Sequence, residues 1–196
     1  MSAWIRMISD SEADDDLLKV LKEARTPHGT VDNVMRVHSL RPATMQGHVA
    51  LYRAALHNST NTLPTWLQET LSSYVSILNN CAYSLANHWA NARHLINDDK
   101  RADDIASALH SGDLDGVFSG RELALLHYTK KLTLTPQSMV EADVHSLRQS
   151  GLDDGEILEA NQIVGYFNYV NRLLNGLGVS TDGDIVGYYS KSKDDS

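Results

Sequence analysis

Apolar residues recur every three or four positions along almost the whole chain, and strict apolar-polar alternation never persists beyond a few residues. Period 3.6 buries one stripe of a helix, whereas a half-buried strand needs period 2. The chain is therefore expected to be all-α. Asp14 to Asp16 place acid ahead of Leu17, Leu18 and Leu21, and Pro27 with Gly29 end that helix. A shorter helix follows Asp32 and stops near Pro42, and Met45, Val49, Tyr52 and Leu56 mark another from Ala43. His57 to Thr62 is a loop by composition, and Pro64 suits a first helical turn.

The stretch from Trp66 to Leu78 reads as helix until Asn79 and Asn80, a pair able to end one helix and begin the next, which runs from Cys81 to Ile96. Asn97 to Asp99 form a further boundary before a helix around Ala102 to Leu109. Ser119 with Glu122 three positions on has the form of a capping box ahead of Leu123, Leu125 and Leu126, and Thr135 with Pro136 closes that segment. A helix over Val140 to Gln149 stops at Ser150 and Gly151. The last spans about Glu156 to Leu174 and ends near Gly176 and Gly178. Residues 190–196 read as a solvated, flexible tail.

At 196 residues, the length fits one domain over 1–196, with no linker or low-complexity tract. Seventeen Lys and Arg against 25 Asp and Glu give a net charge of −8, which weighs against nucleic acid or an anionic membrane as partner. One cysteine excludes an intramolecular disulfide, and no apolar run approaches the ~20 residues of a membrane span. With no secretory segment, a cytoplasmic location is the expectation. Among the other eight histidines no HxH or HxxxH pair occurs, and no glycine pattern cradles a phosphate, so neither a metal nor another cofactor is expected.

One cluster combines a nucleophile, a base and a carboxylate: Glu69, Cys81, Ser84 and His88. Cys81, Ser84 and His88 fall on one helical stripe and can face one pocket. On a straight helix Glu69 would lie roughly 18 Å from Cys81, so a bend at Asn79 and Asn80 is needed to return it towards His88. Such a bend also puts Cys81 in the first turn of a new helix, where the dipole and free amides favour a thiolate. The same residues equally fit a packed thiol, a packed hydroxyl and a hydrogen-bonded interior histidine. Trp66, Tyr74, Tyr83 and Trp89 flank them as pocket walls or as core.

Glu69, eleven residues, Cys81-Ala-Tyr-Ser84, three residues and His88 resemble the active-site signature of the AhpD-like alkylhydroperoxidases, within the carboxymuconolactone decarboxylase superfamily. Glu122 to Leu134, Asp143 to Gly151 and Tyr166 to Arg172 resemble its peroxidase-related branch, so that the likeness spans about 42–179. The resemblance implies an AhpD-like helical fold, homo-oligomers, and reduction of organic hydroperoxides by a thiol with Glu69 and His88 as proton relay. It makes Cys81 the first motif cysteine, which resolves, and puts Ser84 in place of the second, which attacks. A serine forms neither sulfenic acid nor disulfide, so the dithiol cycle cannot run within this chain. Three outcomes remain: a one-cysteine peroxidase through Cys81 with an external thiol reductant, a non-redox decarboxylase-like enzyme using Ser84, His88 and Glu69 on a small organic acid or lactone, or a small-molecule-binding protein.

Overall fold

The computed structural model describes residues 2–189, and the expected tail at 190–196 lies outside them. Among the described residues the regular elements are nine α-helices and one short 3-10 turn at Pro136–Ser138. The helices are α1 (Asp15–Glu23), α2 (Asn33–Arg36), α3 (Pro42–Leu56), α4 (Thr65–Leu78), α5 (Ala82–Ile96), α6 (Asp99–Ser111), α7 (Gly120–Leu134), α8 (Glu141–Gln149) and α9 (Asp154–Leu177). The all-α expectation holds, and no helix among the described residues is long and apolar enough to cross a membrane.

Helix α4 is the centre, with α5, α7 and α9 packed around it. Every residue from Leu67 to Ser76 is buried, so the helix has no solvent face. Its serines and threonine tolerate this because they are small and satisfy themselves: Thr70, Ser72, Ser73 and Ser76 each donate to the carbonyl four residues back, at 2.7–2.8 Å. Leu71, Val75, Leu125, Leu126, Ile163 and Phe167 close the main core around it. A smaller core joins α1, α2 and α3 through Leu17, Val20, Leu21, Met35, Met45 and Val49.

Helices α4 and α5 form a hairpin turned at Asn80, which takes φ +52°. The Cys81 amide donates to Ser76 O at 2.8 Å and the Asn80 amide to Ile77 O at 3.0 Å, the two bonds of a Schellman ending with asparagine in the left-handed position. Asparagines of α9 pin the turn, Asn175 donating to Asn79 O and Asn79 donating to Asn168 and Asn171. At the start of α9, Asp153 and Glu156 form a reciprocal capping box. The similar pair expected at Ser119 and Glu122 does not form: Gly120 enters α7 at φ +53°, and the Ser119 hydroxyl makes no cap bond.

Candidate functional site

The hairpin brings Glu69 of α4 to His88 of α5 across the turn. Glu69 Oε2 lies 2.7 Å from His88 Nδ1, and Asn91 Nδ2 donates to Glu69 Oε1 at 3.2 Å. Glu69 is 2% exposed, so its carboxylate is held by these two donors rather than by solvent. An ionised carboxylate carries no proton, so Nδ1 is the protonated nitrogen and a neutral ring leaves the Nε2 lone pair free. The edge of Phe167 supports the imidazole at 4.5 Å between ring centres.

His88 and Ser84 both line a cavity of about 500 Å³, the size of a small-molecule site. Its walls join the aromatic Tyr52, Tyr83, Tyr166 and Tyr188 and the aliphatic Val34, Met35, Val49, Val170, Leu174 and Ile185 to polar and charged residues that include Glu23, Arg25, Asp32, Arg53 and His57. Of the four aromatic residues expected near the cluster, only Tyr83 reaches the cavity. Tyr74 is core, Trp66 and Trp89 pack against the core, and Trp66 also lies beneath the Arg101 guanidinium.

Ser84 does not bond His88. Ser76 Oγ lies 2.8 Å from both Ser72 O and Ser84 Oγ. Oxygens that close need a proton between them, and a carbonyl brings none. Ser76 therefore donates to Ser72, and Ser84 donates to Ser76.

Cys81 occupies the N-cap of α5, at the start of that helix as the spacing suggests, but its side chain enters the main core. It is 1% exposed and is not part of the cavity wall. Burial pushes its thiol above the ordinary range, only partly opposed by the Ser84 amide. The expected thiolate stabilisation at the helix start is thus outweighed by desolvation.

Of the cavity residues His57, Tyr166, Asp32 and Asn91, only Tyr166 lies in a run that the family resemblance singles out. His57 bonds the Tyr52 hydroxyl at 2.8 Å and stacks on Tyr188. Tyr166 is one end of a buried chain through His48 (2.8 Å), His38 (2.9 Å) and Thr44 (2.9 Å). Thr44 donates to Arg41 O, so neutral rings orient every proton in the chain outward from Tyr166. Burial lowers the basicity of both histidines, taking His48 to about 3 with help from its neighbour His38. Asp32, also on the cavity wall, is pushed up to about 7 by burial and by Asp184, with His28 opposing, and its Oδ1 has no partner. Asn91 had a weak signal, three positions beyond His88 on the same stripe. Among the described residues no group of three or more His, Cys, Asp or Glu side chains is placed to hold a metal ion.

No protein-family model matches the chain, and no curated protein matches it. Solved structures do. A peroxidase-related protein with an alkylhydroperoxidase AhpD core from Ralstonia eutropha JMP134 is 22% identical over 94% of each chain, with TM-score 0.77. A peroxidase-related protein from Silicibacter sp. TM1040 is 21% identical over 93% of each chain, with TM-score 0.79. The debrominase Bmp8, as a C82A variant in complex with 2,3,4-tribromopyrrole, is 14% identical over 93% of this chain and 94% of its own, with TM-score 0.73.

Proposed function

From the AhpD-like fold that the chain has, we propose that it is a peroxidase-related enzyme acting on a small planar organic molecule by proton transfer at His88. The observation that carries this reading is the 2.7 Å bond from His88 to Glu69 beside a cavity that includes His88 and Ser84 but excludes Cys81. Glu69 holds the Nδ1 proton, so Nε2 accepts a proton from a weakly acidic O–H, N–H or C–H of the ligand, and the carboxylate steadies the imidazolium that results. Ser84 stands where the resemblance puts the attacking thiol and offers an oxygen instead. The debrominase of the same fold was crystallised with a bromopyrrole, a flat ring bearing an N–H, and the aromatic walls here suit a ligand of that shape.

A one-thiol peroxidase is the second reading. The place of Cys81 at a helix start and the Ser84 amide beside its sulfur favour it, against the burial of that sulfur.

Two measurements separate them. Adding the native chain to 4-nitrophenol, a coloured weak acid, near pH 6 is expected to raise phenolate absorbance, and His88→Phe to abolish the rise. Consumption of cumene hydroperoxide with excess dithiothreitol is expected only after Ser84→Cys. Native hydroperoxide turnover that disappears in Cys81→Ala would overturn the proton-transfer reading in favour of the thiol one.

A further inference from the structure

The cavity is bounded on one side by residues 184–189, which come from beyond the end of α9, and α5 holds this segment with two asparagines one turn apart. Gly187 N donates to Asn87 Oδ1 at 3.1 Å, and Tyr188 N donates to Asn91 Oδ1 at 2.6 Å. Ile185, Gly187 and Tyr188 face the cavity, Tyr188 stacks on His57, and Tyr189 stacks on His94.

The two asparagines differ in what their other end does. Asn87 Nδ2 donates to Tyr83 O, a carbonyl of its own helix, at 3.1 Å. Asn91 Nδ2 donates to Glu69, the carboxylate behind His88. Asn91 is 3% exposed, and its two partners fix its orientation without ambiguity: the carboxylate requires an N–H, and the Tyr188 amide requires a carbonyl.

We infer that Asn91 is a positioning residue that makes the alignment of the Glu69 and His88 pair depend on the seating of residues 184–189. With the segment seated, the Asn91 carbonyl is occupied and its amide is held on Glu69 Oε1, which leaves Oε2 aimed at His88 Nδ1. With the segment lifted, the Asn91 carbonyl loses its donor, the side chain is free to rotate, and Glu69 keeps only one of its two protein donors. The cover of the cavity and the setting of the base are therefore one event, so that an open cavity admits ligand before the base is aligned. This rests on reading His88 and Glu69 as the working pair.

The test reads the His88 Nδ1 proton by NMR in the nitrogen-15-labelled protein, which needs neither substrate nor turnover. Four variants are compared with the native chain: a chain ending at Ile185, Asn91→Leu, the two combined, and Asn91→Asp. Exchange of that proton with water is expected to be at least tenfold faster in the shortened chain and in Asn91→Leu, with no further gain when they are combined. Asn91→Asp still accepts from Tyr188 but replaces the Asn91 amide on Glu69 Oε1 with a second carboxyl, so that the two share a proton and the charge facing His88 falls. This variant is expected to keep the native Tyr188 amide signal while His88 exchanges faster, which mere loss of cover or misfolding would not produce. Native exchange in the shortened chain, or additive effects in the combined variant, would overturn the inference. Failure of the 4-nitrophenol response with these exchange effects intact would instead count against the proton-transfer reading alone.

Discussion

Replacing Glu69 with glutamine keeps the shape of the side chain and changes one oxygen into an NH2 group, which makes it a sharp test of how the buried carboxylate is held. Two donors converge on Glu69, His88 Nδ1 at 2.7 Å and Asn91 Nδ2 at 3.2 Å. A glutamine can satisfy only one. With its carbonyl towards His88, that bond falls from charge-assisted to neutral, a loss of about 1 kcal/mol. The glutamine amide then meets the Asn91 amide, donor against donor, which costs about 1–3 kcal/mol for buried N–H groups left unmade. Asn91 cannot flip to relieve this, because its carbonyl holds the Tyr188 amide at 2.6 Å. Removing a buried charge returns part of its desolvation cost, so the net destabilisation is expected to be about 2 kcal/mol. In a chain of this length that is a fall of roughly 4–8 °C in Tm, read by calorimetry at pH 7. Adding Asn91→Asp supplies an acceptor for both the glutamine amide and Tyr188 N, and is expected to restore about 1 kcal/mol. A Glu69→Gln protein as stable as the native chain, or an Asn91→Asp addition that only worsens it, would refute the hydrogen-bond reasoning.

Two further outcomes follow from the buried groups. Because Cys81 is enclosed in the core and its thiol is pushed up in pKa, iodoacetamide at pH 8 should modify it at least about tenfold more slowly in the native chain than in urea; an equal or faster native rate would contradict the burial. His48 is held neutral to about pH 3, whereas an unfolded histidine titrates near 6.5, so its contribution to stability is complete above roughly pH 6.5 and is lost as pH falls from there towards 3. Urea unfolding at pH 7.5 and pH 5 should show that loss, and His48→Gln should reduce the difference; a His48→Gln protein with the native pH dependence would assign the effect to other groups.

Much of the architecture was legible in the sequence because helix formation is local. The period of the apolar residues gave the all-α class, the asparagine pair at 79 and 80 marked the turn between α4 and α5, and the acid of the α1 cap lies where composition puts it, with Asp14 accepting from the Leu17 amide. Even the return of Glu69 to His88 could be expected once that turn was granted. The Ser119 cap was misread because its failure depends on Gly120 adopting a left-handed backbone, which the residue permits but does not require.

The spacing puts Cys81, Ser84 and His88 on one stripe, but Cys81 is the extended N-cap residue just outside α5 and turns into the core, while Ser84 and His88 line the cavity. That was decided by tertiary packing, which encloses Cys81 in the main core and leaves Ser84 and His88 at the cavity. The remaining walls come from far along the chain: Asn87 meets Gly187 and Asn91 meets Tyr188 across about a hundred residues. The sequence by itself determined the helices and the hairpin that carries Glu69 and His88, since each rests on neighbours within a few turns. Only the tertiary structure decided that the thiol is buried, that tyrosines line the cavity, and that Asn91 links its cover to Glu69, because burial and lining are properties of surfaces that helices acquire only when they pack.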